Sequence, residues 1–309
     1  MTSLFYWCIW EDKWLYFLHL FHVEQLTKHS NLYLTCRDHF LTGESFELVY
    51  NESKDLLITT PRPSSLEQSR YYESLDYQSH STRIKSFFDL VYFLIRKIST
   101  RRKLKLIRKF RTQQNNLLDV GAGIGYFLNS ASNSGWNSIG VELSDTARSI
   151  ANNARSNSIK EMNHLDSLQQ NTFDVITLWH VLEHMGDLDY EIKRLKGLLG
   201  SNGRIIVAVP NFKSYDADYF KEYWAGYDVP RHLWHFSRNS ISKLFKKHGL
   251  KIESIHPMIF DSFYISLMST KYKFGKISYI KGILIGLVSN IKAIFSKEYS
   301  SLIYVIKRQ

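Results

Sequence analysis

Three closely spaced glycines follow an acidic residue in the middle of the chain. Residues 117–127 read Leu-Leu-Asp-Val-Gly-Ala-Gly-Ile-Gly-Tyr-Phe, with Asp119 before Gly121, Gly123 and Gly125. Glycine has no Cβ, so the backbone can adopt left-handed conformations and a ligand can approach it closely. The helix predicted after the turn offers its free N–H groups to an anion. The stretch is therefore suited to binding a nucleotide-like ligand.

A second carboxylate, Glu142, stands at the end of the next predicted strand, 23 residues after Asp119. A carboxylate in this place can accept hydrogen bonds from both hydroxyls of a ribose. Taken alone, Glu142 could be an ordinary surface residue, but its place behind the glycine turn favours the binding role. A dinucleotide site is disfavoured, because the last glycine of a Gly-x-Gly-x-x-Gly fingerprint is replaced by Tyr126.

Four segments in the same order resemble motifs of the class I S-adenosylmethionine (SAM) methyltransferases. The glycine turn resembles motif I, and Phe173–His184, which ends in Leu-Glu-His, resembles motif II with its continuation. Pro210-Asn211 resembles the end of motif III. The segment Pro230–Phe236, Pro-Arg-His-x-x-x-Phe, is similar to one beside the acceptor pocket in a branch of small-molecule enzymes that includes ubiquinone-pathway-like methyltransferases.

This resemblance implies SAM as cofactor and methyl transfer to a small or lipid-linked acceptor. It also implies a set of residues that contact SAM, some upstream of the sheet in a Tyr-rich segment. These residues are Tyr77, His80, Asp119, Gly121, Ala122, Gly123, Gly125, Tyr126, Glu142, Leu143, Trp179 and His180. Two alternatives remain open: the Tyr-rich segment could be an aromatic linker, and Trp179 could belong to the core.

An acceptor hydroxyl, amine or carbon acid must also lose a proton, and histidine has an unperturbed pKa of about 6.5 that suits this task. The candidate general bases are His184, which we place first, His232 and His235. In the alternative interpretation, Leu-Glu-His serves packing and the aromatic loop 223–236 is structural. No metal site is expected: Cys36-x-x-His39 is half of one without a second pair, although Glu183 with His184 could contribute to another.

Alternating strands and helices predict the fold that must position these residues. Buried strands at residues 117–120, 137–141, 173–179 and 203–210, which alternate with helical patterns, predict a doubly wound sheet of the α/β class. The resemblance implies that this sheet is the mostly parallel, seven-stranded sheet of the Rossmann-like methyltransferase fold. Residues 44–60 predict a β-hairpin within an N-terminal extension, residues 1–80. The catalytic domain is expected at residues 81–309, with a helical insertion at about 261–299.

The chain is basic, with 40 Lys and Arg against 29 Asp and Glu, a formal charge of +11. Eleven basic residues lie between Arg83 and Arg111, and twelve from Asn239 onward. These runs could be solvated helix faces, or could attract anionic lipid or an acidic substrate. Nucleic acid is not expected, because no binding motif accompanies the charge. The apolar helical pattern at 279–295, with two lysines, suggests a cover for the active site or peripheral membrane contact.

The first 35 residues are rich in aromatic side chains but have neither the pattern of a signal peptide nor the length of a bilayer span. Two cysteines cannot make a disulfide framework. We therefore expect a cytoplasmic protein, at the inner membrane surface if it contacts lipid. The alternative to an enzyme is a non-catalytic SAM- or nucleotide-binding protein that acts through its basic surfaces. The oligomeric state and the acceptor cannot be deduced from these patterns.

Overall fold

The computed structural model describes residues 31–64, 67, 69–71, 87–154 and 159–309 of the 309-residue chain. A large mixed sheet lies in the middle, helices cover both of its faces, and a smaller antiparallel sheet packs at one edge. The strands are β1 Leu32–Arg37, β2 Ser45–Tyr50, β3 Leu56–Thr60, β4 Asn116–Val120, β5 Asn137–Val141, β6 Ile159–Lys160, β7 Phe173–Trp179, β8 Leu199–Pro210, β9 Trp234–Phe236, β10 Leu250–Pro257 and β11 Ser301–Arg308.

The large sheet has seven strands in the order β10-β11-β8-β7-β4-β5-β6. All neighbours from β8 to β6 are parallel, and only β11 runs antiparallel to both β8 and β10. The predicted seven-stranded, mostly parallel α/β architecture is thus confirmed. The chain reverses strand order between β4 and β7, so the carboxyl ends of these two neighbours form the crevice where such sheets bind ligands.

Eight α-helices are described. They are α1 Phe87–Ile107, α2 Tyr126–Asn133, α3 Asp145–Ala154, α4 Leu188–Leu198, α5 Tyr215–Phe220, α6 Arg238–Lys247, α7 Asp261–Phe274 and α8 Tyr279–Ser296. Side chains cap the starts of two helices: Asp187 accepts the Tyr190 N–H at the start of α4, and Ser237 accepts the Ser240 N–H at the start of α6. Each cap satisfies a backbone donor that has no partner inside the helix.

The strands of the large sheet bury apolar side chains on both faces because helices cover both faces. In β4, Leu118 packs in a core with helices α4 and α6, whereas Leu117 packs in a second core with α1 and α2. Both leucines are completely buried. This two-sided burial explains why the strands read as continuous apolar runs rather than as alternating patterns.

The N-terminal sheet has the order β1-β2-β3-β9, and all neighbours are antiparallel. The predicted hairpin is confirmed as β2 and β3. The prediction did not foresee β1, nor that β9, which comes from the loop before α6, pairs with β3. The small sheet therefore contains strands from both sides of the proposed domain boundary near residue 80. The division into domains stays a prediction.

The insertion between β10 and β11 is a hairpin of two helices, α7 and α8, where the sequence indicated only the second. Together with α5 and loop 221–233 they cover one face of the small sheet, and this layer has its own core. Its members include Leu48, Phe212, Trp224, Tyr227 and Ile285. The extension, the loop and the insertion are therefore one packed unit at the edge of the large sheet.

Candidate functional site

The glycine turn connects β4 to α2 with left-handed backbone at three positions. Gly121, Gly123 and Gly125 have φ values of 68°, 53° and 78°. A Cβ on Gly121 would lie 2.4 Å from Val181 Cγ2, and one on Gly125 would lie 3.0 Å from Ile159 Cδ1, so these two glycines allow close packing. A Cβ on Gly123 would meet no described protein atom within 4 Å. The turn therefore leaves open space at its middle glycine, where a ligand could lie against the backbone.

Glu142 lies beside this open space. Its Oε2 accepts the Gly123 N–H at 2.8 Å, and its Oε1 accepts the Ser144 N–H at 2.9 Å. Each carboxylate oxygen can accept more than one hydrogen bond, so the side chain is fixed by the turn and still has acceptor capacity. This arrangement fits the proposed contact with a ribose.

A buried acidic side chain and a basic side chain lie near the end of β4. Asp119 is buried and accepts a hydrogen bond from Thr177 Oγ1 at 2.6 Å, and burial raises its pKa to about 7. Burial lowers the pKa of Lys103 on α1, although Asp261 and Asp119 counteract this effect. The Lys103 Nζ lies 4.2 Å from the centre of the Trp179 ring. Trp179 Nε1 is buried without a hydrogen-bond partner among the described residues. An acidic group, a basic group and an unused hydrogen-bond donor thus lie near the end of β4.

His180 connects the sheet edge to the helical insertion. It has left-handed backbone, with φ of 58°, which is uncommon for a residue other than glycine. Its Nε2 lies 3.1 Å from Asp261 Oδ2 at the start of α7, and its Nδ1 lies 3.3 Å from Glu183 Oε1. Burial alone would lower the pKa of His180, but the two carboxylates raise it to about 9. His180 is therefore a cation at neutral pH.

We expect the charge on His180 to make stability pH-dependent. The folded pKa of about 9 is above the unfolded value of about 6.5, so the stabilisation is complete below pH 6.5 and is lost as the pH rises toward 9. In thermal unfolding, the Tm of the wild type should fall more between these pH values than the Tm of His180→Gln. Parallel pH profiles of the two proteins would contradict the assignment.

Two histidines and a carboxylate form a compact cluster after β7. His184 Nδ1 lies 2.9 Å from Arg231 O, and His232 Nδ1 lies 3.0 Å from Gly226 O. A ring nitrogen that faces a carbonyl oxygen carries the proton, so Nε2 is the basic nitrogen of each ring. The rings are 4.7 Å apart at 77°, and His232 Nε2 lies 4.0 Å from Glu183 Oε1. The structure thus brings together two of the three predicted bases.

Glu183 is completely buried, and neither of its carboxylate oxygens accepts a hydrogen bond from a described residue. Burial favours its neutral form, but the neighbouring His180 and the other histidines lower its pKa. Burial and His184 lower the pKa of His232 to about 4, so this ring is neutral at physiological pH. Donor atoms of Glu183, His184 and His232 lie within 4.8 Å of one another, a spacing that could hold a metal ion. The sequence had suggested Glu183 and His184 for such a site, but not His232.

His235 lies apart from this cluster, on β9. Its Nε2 lies 2.9 Å from Thr59 Oγ1 of the small sheet, and burial lowers its pKa well below the usual range. The aromatic residues of the same loop are also part of the interior: Trp224 and Tyr227 are buried, and the Trp224 indole donates to Asp216 at 2.7 Å. These aromatic side chains pack the core, and they carry no information about the acceptor.

The remaining predicted contacts lie around the turn. Ala122 and Tyr126 are half-buried, and the Arg96 guanidinium lies 4.3 Å from the centre of the Tyr126 ring. Leu143 is 76% exposed beside Glu142, an apolar surface that an adenine ring could cover. Tyr77 and His80 lie outside the described residues, so their role stays a prediction.

Sequence reasoning missed Lys103, Asp261 and the structural role of Arg231. Lys103 could not be singled out, because it is one of many basic residues in a predicted helix. Asp261 lies 81 residues after His180 and belongs to no recognised motif, so its contact with His180 could not be predicted. Arg231 stood in a recognised motif, but its partners, Asp38 and Asp228, could not be deduced from it. The guanidinium Nη2 lies 2.8 Å from Asp38 Oδ1 and 2.6 Å from Asp228 Oδ1.

Several solved structures similar to this chain are methyltransferases by name, but the likeness is modest. One is a SAM-dependent methyltransferase from Archaeoglobus fulgidus, with a TM-score of 0.49, 16% identity, and coverage of 72% of this chain and 100% of that protein. Another is phosphoethanolamine N-methyltransferase 2 of Haemonchus contortus, crystallised with SAM, with a TM-score of 0.47 and 19% identity. The match covers 68% of this chain and 53% of the worm protein.

No curated protein matches the sequence of this chain. A family model, described as a methyltransferase domain, matches residues 91–255, which is more than half of the chain. The matched region contains the glycine turn, Glu142, His180 and the Glu183–His184–His232 cluster. The chain therefore belongs to the methyltransferase-domain family.

Proposed function

We propose that the protein transfers the methyl group of SAM to a small or lipid-linked acceptor and that His184 removes the acceptor proton. One observation carries this proposal. The glycine turn and Glu142 follow β4 and β5. Glu183 and His184 follow β7, the other neighbour of β4, and His232 lies against His184. The proposed cofactor site and a pair of neighbouring imidazoles therefore share one edge of the sheet.

Bound SAM supplies an electrophilic methyl group on a sulfonium centre. Glu142 would hold the ribose, and the open space at Gly123 would admit the adjacent part of the cofactor. Asp119 and Lys103 have charges opposite to those of the ammonium and carboxylate in the methionine part of SAM. The buried Trp179 Nε1 adds a hydrogen-bond donor. The resident side chains thus fit a zwitterionic cofactor.

His184 is proposed as the base because of its surroundings. Arg231 O holds the proton on Nδ1, so Nε2 can accept the proton of an acceptor hydroxyl, amine or carbon acid as the new bond to the methyl carbon forms. The buried Glu183 carboxylate would stabilise the imidazolium that results. His232 is neutral and would help to orient the ring of His184 and the acceptor.

Replacing Glu142 with alanine should weaken SAM binding by about 1–3 kcal/mol, which corresponds to roughly 5- to 150-fold, because two hydrogen bonds to a charged acceptor are lost. Isothermal titration calorimetry with SAM and S-adenosylhomocysteine would measure this. Glu52→Ala, on an exposed turn of the small sheet, is the matched control. Unchanged affinity in Glu142→Ala would remove this residue from the site.

Two experiments would limit the size and the chemical class of the acceptor. A soak with S-adenosylhomocysteine would reveal the space left beyond the sulfur, and release of S-adenosylhomocysteine over a panel of aromatic, isoprenoid and sugar acceptors would identify the class. SAM binding without product formation across such a panel would oppose the proposal and favour a non-catalytic binding role. A cytoplasmic location stays a prediction.

A further inference from the structure

Helix α8 has its small residues toward the protein and its large apolar residues toward solvent. The buried face consists of Gly282, Ile285, Gly286, Ser289 and Ala293. A Cβ on Gly282 would lie 2.9 Å from Leu267 Cα, and one on Gly286 would lie 2.9 Å from Phe263 Cα. Helices α7 and α8 therefore pack closely at Gly282 and Gly286, where there is no room for a side chain.

The outer face is apolar along the whole helix. Its exposed residues are Ile280, Ile283, Leu284, Leu287, Val288, Ile291, Ile294 and Phe295. At about 100° per residue, these eight side chains occupy an arc of roughly 140° that contains no charged residue. Ile280 and Phe295 are 78% and 84% exposed. A surface helix of a soluble protein has the opposite arrangement, so this face is expected to meet an apolar partner.

Lysines border the apolar face. Residues 261–299 contain six lysines against Asp261 and Glu298, and Asp261 is directed inward to His180. Lys281 and Lys292 are separated by about three helical turns and therefore lie on the same flank of α8. Their ammonium groups lie 4.2 Å from the centre of the Phe274 ring and 3.8 Å from that of the Tyr215 ring. An apolar face beside a row of cations matches an anionic lipid surface.

By length and composition α8 could also cross a bilayer. Its inner face, however, is packed against the protein from Gly282 to Ala293. Ile285 belongs to the core of the small sheet, and Ser289 donates a hydrogen bond to the buried Asp216 at 2.7 Å. Only one side of the helix is available for lipid, as in helices that lie in the plane of the membrane.

We propose that the outer face of α8, bordered by Lys281 and Lys292, docks the protein onto an anionic bilayer. The docked hairpin reaches the site, because Asp261 at the start of α7 lies 3.1 Å from His180 Nε2. An acceptor embedded in the same bilayer would be near the sheet edge that binds SAM. The docking surface does not depend on the proposed acceptor and can be tested without activity.

Sedimentation with vesicles tests the docking. The wild-type protein should pellet with vesicles of phosphatidylcholine containing about a third phosphatidylglycerol, and much less with phosphatidylcholine alone. The variant Ile283→Ser/Leu287→Ser/Ile291→Ser should lose more than about tenfold in affinity, since three apolar side chains no longer enter the lipid. The variant Lys281→Glu/Lys292→Glu should lose at least as much at low salt and little at high salt.

The control Leu41→Ser/Ile150→Ser/Tyr190→Ser removes exposed apolar side chains elsewhere and should bind as the wild type does. All altered positions are exposed, so each Tm should stay near that of the wild type. Equal binding to neutral and anionic vesicles, or no binding to either, would overturn the proposal. So would a concentration-dependent dimer in sedimentation equilibrium that the α8 triple variant abolishes, because a second copy would then cover the face.

Discussion

The variant His184→Asn is expected to lower kcat by about 10²- to 10⁴-fold, the usual contribution of a general base. The asparagine amide can still donate a hydrogen bond to Arg231 O, so the fold around the cluster should be kept, but the basic Nε2 is absent. Affinity for SAM should change less than twofold, because Glu142 and the glycine turn are unaltered. The measurement is release of S-adenosylhomocysteine with an acceptor that the wild type methylates.

His256→Asn is the matched control, since this histidine lies on β10 with its Nε2 2.9 Å from Ser254 Oγ, outside the cluster. It should keep the wild-type kcat. Full turnover in His184→Asn would exclude His184 as the base.

The variant Arg231→Met is expected to reduce the free energy of unfolding by about 3–5 kcal/mol, the cost of leaving a buried ion pair with one partner. The Arg231 guanidinium is buried between Asp38 and Asp228, and its Nη1 also lies 3.2 Å from Tyr71 O. Methionine fills similar space but leaves the carboxylate of Asp38, whose side chain is fully buried, without its cation. Urea unfolding would measure the loss.

Arg37→Met at the end of β1 provides the comparison. The side chain of this arginine is exposed and donates to Gly43 O, so its replacement should cost less than about 1 kcal/mol. The double variant Asp38→Asn/Arg231→Met should recover part of the stability that Arg231→Met loses, because the unpaired charge is then removed as well. Equal effects of Arg37→Met and Arg231→Met would refute the assigned role.

The features that were predictable from the sequence are local ones. A strand, three glycines and a helix start occupy adjacent residues, so the turn at 119–126 and the acid at Glu142 could be recognised from spacing alone. The order of strands followed from the alternation of apolar runs with helical patterns. The predicted bounds of the strand Phe173–Trp179 also agree with the structure.

The unpredicted features depend on contacts between distant residues. His184 and His232 were separate candidates, and only the folded loop brings their rings within 4.7 Å. The contact of His180 with Asp261 and the approach of Lys103 to Trp179 likewise join elements far apart in sequence. The outward apolar face of α8 needed the structure too, since the pattern alone did not reveal which side faces the protein.

The pairing of β3 with β9 has a practical consequence for expression. A recombinant fragment that starts at residue 87, chosen to isolate the catalytic half, would lack β1 to β3 and expose the backbone of Trp234–Phe236 to solvent. The same truncation would expose the side chains of Phe212, Trp224 and Tyr227, which the small sheet covers in the full-length protein. An unpaired edge strand beside exposed aromatic side chains favours aggregation. Shortened genes should therefore begin before residue 31, so that the whole small sheet is translated.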